Sequence, residues 1–165
     1  MSRVLSVFLL SLVIGCGAES DSHDHHEHHG HMRNGGGDDA SREAADTYVA
    51  GLEKVSSAGH FTLRLMESEP TVRHTGVYTW QLKVLGADDE PMTGLSIQAE
   101  PTMPDHGHGT EPRYTEGTAA DADGLYQLKD MNLYMDGLWN VMIRISSEDG
   151  FEDEVAFNFI LEENR

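Results

Sequence analysis

Hydrophobic side chains recur with period two along most of this chain beyond residue 58, and that alternation limits what it can fold into. Phe61, Leu63 and Leu65 alternate with Thr62 and Arg64, and Tyr78, Trp80, Leu82 and Val84 alternate with Thr79, Gln81 and Lys83. Leu95, Ile97 and Ala99 alternate with Ser96, Gln98 and Glu100, and Tyr126 and Leu128 with Gln127 and Lys129. Trp139, Val141, Ile143 and Ile145 share one face of a further run, as do Val155, Phe157, Phe159 and Leu161. Successive side chains of an extended strand point to opposite faces, so each run reads as a half-buried strand. Turns are supplied by Gly86 to Pro91, Asp121 to Gly124 and Ser146 to Gly150. No helix of the length a parallel crossover requires fits between the runs. The pattern predicts an all-β domain, an immunoglobulin-like antiparallel β-sandwich of six or seven short strands. Trp80 and Trp139 lie on apolar faces and are expected in its core.

Upstream the pattern is lost. Ser41 to Lys54 places Ala45, Tyr48, Val49 and Leu52 at helical spacing, with Asp39 as an N-cap, whereas Gly51, Thr47 and Val49 disfavour a helix. A short helix and an extended lead-in both remain open there. From Gly17 to Ala40 the only appreciably hydrophobic side chain is Met32, so nothing offsets the entropy of ordering and a disordered tether is expected. At the start, Arg3 precedes an apolar run, Val4 to Ile14, followed by Gly15 and Cys16. Charge, apolar core, small residue and cysteine in that order form a bacterial lipoprotein signal peptide, with cleavage before Cys16 and acylation of its thiol. The run falls short of the roughly 18 residues a membrane-spanning helix needs. The expected organisation is therefore a signal peptide over residues 1–15, a lipidated, His-rich tether over 16–40 and the β-sandwich over 41–165. The expected location is the cell envelope, on the outer membrane or its periplasmic face, and Gly17 rather than Asp after Cys16 fits outer-membrane sorting.

Charge narrows the partners. The chain carries 29 acidic and 11 basic residues, a formal charge of −18, and loss of residues 1–15 removes only Arg3, leaving −19. Nucleic acid and electrostatic docking on anionic lipid both need a Lys/Arg patch that is missing, so membrane association is expected through the lipid alone. With the single cysteine acylated, neither a disulfide nor a cysteine metal site is available. Gly-x-Ser-x-Gly, P-loop and His-Glu-x-x-His signatures are missing, so no enzymatic activity is expected, and an envelope protein is a possible partner.

Two clusters carry chemistry. The first is the loop Met103-Pro104-Asp105-His106-Gly107-His108, followed later by Gly124-Leu125-Tyr126 and by Met135-Asp136-Gly137-Leu138-Trp139. With these motifs, residues 46–162 resemble the YtkA-like family of envelope proteins, related to the FixH-like group. That family commonly has a second Met where His106 stands and a Pro where Asp136 stands. The resemblance implies links to copper handling and respiratory-oxidase assembly, and it implies that the loop before Trp139 lies beside the Met/His loop. From the residues themselves, imidazole nitrogen with thioether sulfur suits Cu(I), and His also serves Cu(II) and Zn(II). In an extended segment His106 and His108 project to one side and Met103 closes from across Pro104, and the resemblance, by placing the loop before Trp139 alongside, implies Met135 as a further thioether. The alternative is that Met103 and Pro104 plug the end of the sandwich and the histidines form a polar loop. The second cluster is His23, His25, His26, His28, His29 and His31, interleaved with Asp21, Asp24 and Glu27. Imidazoles at this density bind Zn(II), Cu(II) or Ni(II) with modest affinity, or simply solvate the tether. His60 and His74 read as ordinary surface residues. The expectation is a lipid-anchored copper-binding protein; the other reading is a metal-free structural or interaction module.

Overall fold

The computed structural model describes residues 44–121 and 123–164. The expected signal peptide, Cys16 and the six histidines from His23 to His31 lie outside the described residues. Among the described residues the chain forms nine strands and no helix. They are β1 (Leu52–Val55), β2 (Thr62–Glu69), β3 (Gly76–Leu85), β4 (Leu95–Met103), β5 (His108–Gly109), β6 (Thr115–Ala119), β7 (Leu125–Leu133), β8 (Gly137–Ser147) and β9 (Glu152–Leu161). The strands pair antiparallel in the order β1-β2-β3-β7-β6-β4-β8-β9, with β5 on β4. The all-β antiparallel fold expected from the alternation is the fold observed, with nine strands rather than the six or seven expected, because β5 and β6 are too short to show a period. Residues 45–49 form no helix, which removes the helical alternative for the lead-in. With Gly51 at φ +83°, the chain turns directly into β1.

The strands form one antiparallel sheet that curls around the core and nearly closes on itself, and β6 is where its two halves, β1-β2-β3-β7 and β4-β8-β9, meet. The first residues of β6 pair with β4 (Glu116 opposite Gln98) and its last with β7 (Gly117 opposite Leu128). A Cβ on Gly117 would sit 2.8 Å from the Ile97 Cβ, so glycine is what lets the strand pass this close at the corner. On the opposite side β1 and β9 do not pair as strands. Instead Asp46 exchanges two bonds with Asn158 (N–H to carbonyl 2.6 Å, Asn158 N–H to carboxylate 2.7 Å), Lys54 Nζ donates to the Ala156 carbonyl (2.9 Å), and the Ser57 N–H donates to Glu154 (2.8 Å). These bonds occupy backbone groups that an edge strand would otherwise leave open.

The apolar faces read from the sequence fill the space between the two halves. Trp80 is fully enclosed, edge-on to Phe157 and Phe159 at 6.0 and 5.8 Å, and Trp139 is enclosed as well. The register slips near Tyr78 and Trp80, where Asp130 on β7 takes φ +57°. That extra residue puts both Lys129 and Asp130 outside and returns Met131 to the core. The Tyr78 hydroxyl donates to the His74 carbonyl, fastening the connection that precedes β3. At that same end lie the β4–β5 hairpin and the loop between β7 and β8, because Thr102 pairs with Asn140 and Gly137 with Leu161.

Candidate functional site

The hairpin is built by one carbonyl and two glycines. The Met103 carbonyl accepts the N–H of His106 (3.1 Å) and of Gly107 (2.9 Å), which folds Pro104 to Gly107 into a tight turn. Gly107 takes φ +68°, in the left-handed region that favours glycine. His108 then lies opposite Met103 and Gly109 opposite Thr102. A Cβ on Gly109 would be 2.7 Å from the Pro101 carbonyl oxygen, so only glycine lets β5 lie this tightly on β4.

The extended geometry expected for this loop is therefore replaced by a reversal: His106 sits in the turn and only His108 on a strand. The two rings still meet, with centroids 5.6 Å apart and planes at 68°. Both are exposed. The His108 Nδ1 lies 3.2 Å from the Gly109 carbonyl, and with the proton on Nδ1 the Nε2 lone pair is left for a ligand.

Met103 does not close over the loop from across Pro104. Its side chain is fully enclosed among the core residues, and its methyl group lies 3.2 Å from where a Gly137 Cβ would stand. Gly137, at φ +120°, accommodates both that contact and the turn. Met135, two residues earlier, is 40% exposed. Its carbonyl accepts the Trp139 indole N–H at 2.8 Å, which closes the loop between β7 and β8. The Met-x-Gly-x-Trp motif thus has a structural meaning: tryptophan anchors the loop from below and glycine makes room for Met103. The four residues singled out from the sequence share one end of the sandwich, with the histidine pair and Met135 at the surface and Met103 beneath.

Behind His108 runs a groove of about 450 Å³ lined by Glu100, Thr102, Met103, Pro104, Thr110 and Arg113. Its wall is an ion cluster that the sequence did not reveal. Glu100 is buried on β4 and receives Arg144 Nη1 at 2.7 Å and Arg113 Nε at 2.6 Å. Hydrogen bonds from Arg144 and then Arg113 hold its carboxyl below the usual range against the opposing effect of burial. The cluster ties the segment after β5 to both β4 and β8. Asn132 Nδ2 adds a bond to the Glu111 carbonyl (3.3 Å).

His60 and His74 are partly exposed, as expected of surface residues, yet each has a specific setting. His60 Nδ1 is 3.1 Å from Asp153, and His74 Nδ1 is 4.0 Å from Glu162. Asp153 is buried, and burial acts to raise its pKa. Hydrogen bonds from the Ser56 hydroxyl and from the Ala58, Glu154 and His60 amides outweigh that effect and keep the carboxyl well below its ordinary range. This carboxylate staples the β1–β2 turn to β9, and no periodicity could have announced it. Among the described residues no three His, Cys, Asp or Glu side chains gather to hold a metal ion. The described residues also include no helix long and apolar enough to cross a membrane.

A family model described as YtkA-like matches residues 53–144, the stretch that runs from β1 through most of β8. No curated protein and no solved structure matches the chain.

Proposed function

The chain belongs to the YtkA-like family, and within it we propose a non-enzymatic, lipid-anchored protein of the cell envelope whose β4–β5 hairpin binds copper through His106 and His108. The observation that carries this reading is the pair of exposed imidazoles with ring centroids 5.6 Å apart. Metal–nitrogen bonds of about 2.0 Å to two rings place their centroids roughly 5 to 6 Å apart, so the separation is of the size a shared ion needs once the two exposed rings turn their nitrogens toward it. The His108 contact to the Gly109 carbonyl supports it further, since a bond at one ring nitrogen orients the other toward a metal. Met135, exposed at the same end, is the thioether available to Cu(I), and Met103 serves as the packed floor of the hairpin. The six histidines from His23 to His31 form a second, weaker donor set able to take Zn(II) or copper, on a segment that follows the acylated Cys16.

A metal-free interaction module is the second reading, favoured by the enclosure of Met103 and by the Trp139 bond to Met135, which give the family motifs a packing role. Calorimetric titration with copper separates the two. The protein used is the chain from residue 16 with Cys16→Ser and with the six N-terminal histidines changed to Gln. His106→Ala and His108→Ala should each weaken binding at least tenfold, while His60→Ala leaves it unchanged. Equal affinity in all three variants hands the case to the interaction module.

A further inference from the structure

We infer that the outer face of β9 around Ile160 is a docking groove for an extended segment of a partner protein, one carrying an apolar side chain flanked by lysine or arginine. The inference is independent of whether the hairpin takes copper. It starts from a break in pattern. The outward positions of β9 are Glu152, Glu154, Ala156 and Asn158, and then Ile160, which is 45% exposed. Leu138, opposite it on β8, lies on the same face. Cavities of about 680 and 460 Å³ lie against Ile160, and both are lined by it and by Glu162. Tyr48, Val72 and Phe159 also line the smaller one, so an apolar side chain laid along Ile160 leaves water for apolar neighbours.

Backbone and charge define the occupant. Asn158 and Glu162 turn their backbone groups away from β8, the first toward Asp46 and the second toward Arg73 and Thr75. Alternate residues of a strand direct these groups to the same side, so the N–H and carbonyl of Ile160 face the gap between those two attachments. An extended chain crossing there can bond both groups with one residue, while its side chains reach the two cavities. The rim carries the carboxylates of Asp136, Glu162 and Glu163 against one guanidinium, Arg73, whose Nε lies 3.7 Å from Glu162. Such a rim attracts a basic segment and repels an acidic one. It also disfavours a second copy of this chain, which carries a formal −18.

Fluorescence anisotropy tests this, with a labelled peptide that carries a central leucine between lysines and with the chain from residue 16 bearing Cys16→Ser. Binding should weaken about tenfold when the leucine is exchanged for serine, and again in Ile160→Thr, which keeps a β-branched residue on the strand. Glu162→Gln/Glu163→Gln should weaken it about tenfold as well. Asp88→Asn/Asp89→Asn, which removes the same charge from the turn at the far end of β3, should leave it unchanged. Equal weakening in the two charge variants, or equal affinity for the leucine and serine peptides, overturns the groove by reducing the binding to general attraction between opposite charges. Absence of saturable binding to the parent overturns it too. A parent that sediments as a dimer, dissolved by Ile160→Thr, gives the groove to a second copy instead. Markedly tighter peptide binding in Met32→Ser/Arg33→Ser gives it to the chain's own N-terminal segment, and either result overturns the partner.

Discussion

Shortening Met103 separates packing from ligation, because the structure assigns its side chain to the core. It is fully enclosed, with its methyl group against Gly137. Met103→Ala removes three heavy atoms from a site whose neighbours are held by strand pairing on β8, and such truncations cost about 2–5 kcal/mol. The loop between β7 and β8 is able to settle partly into the space, so a value near 3 kcal/mol is expected. A domain of roughly 120 residues has an unfolding entropy of about 0.25 kcal/mol/K, which converts that loss to a fall in Tm of about 12 °C. Met103→Leu keeps most of the volume and should cost less than about 1.5 kcal/mol, or about 6 °C. Differential scanning calorimetry measures both, and copper titration of the stable Leu variant then reads ligation alone. The packing account expects Cu(II) affinity within about threefold of the parent. Leu at parental stability with copper affinity reduced tenfold or more would refute it and make the sulfur a ligand.

Three further outcomes follow from named contacts. Asp153 and Glu100 both have pKa values depressed in the folded state, so each contributes stability that is present above its unfolded pKa, near 4, and is lost as pH falls below that. Thermal melts from pH 7 down to 2.5 should show this loss, with a flatter acid limb and a lower neutral-pH Tm for Asp153→Asn; parallel curves would contradict the staple. Gly109→Ala forces a Cβ against the Pro101 carbonyl at 2.7 Å, so backbone must move and the β4–β5 pairing should open. Amide exchange should then quicken by tenfold or more in the hairpin but not in β9. For the anchor, Cys16→Ser is expected to abolish lipid incorporation and detergent-phase partitioning, and a variant that still incorporates lipid rules out acylation at Cys16.

The strands that alternate cleanly were legible in the sequence because one face meets a core and the other meets water. Trp139, Val141, Ile143 and Ile145 are all buried as their spacing requires. The shorter strands were not legible. β5 has two residues, both exposed, and β6 carries Gly117 where a strand pattern would want a large side chain. Their existence depends on close backbone approach, which Gly109 and Gly117 permit and periodicity does not register. The candidate site was legible in composition and only partly in geometry. His106 and His108 come together as the sequence suggested, through a turn rather than an extended run, and Met103 entered the core because its strand pairs with β8 to the last residue but one. Glu100 and Asp153 occupy strand positions whose burial is set by partners 13 to 95 residues away, so only the folded chain exposes them.

The central claim is that the hairpin imidazoles take a metal, and nitrogen-15 NMR of the histidine side chains reads it most directly. Cu(I), being diamagnetic, is titrated into uniformly labelled protein and each imidazole is followed separately. The account predicts large ligation shifts at His106 and at the Nε2 of His108, with His108 Nδ1 keeping its proton and with His60 and His74 unmoved. Shifts confined to the histidines between His23 and His31, with both hairpin rings unchanged at saturation, would contradict it.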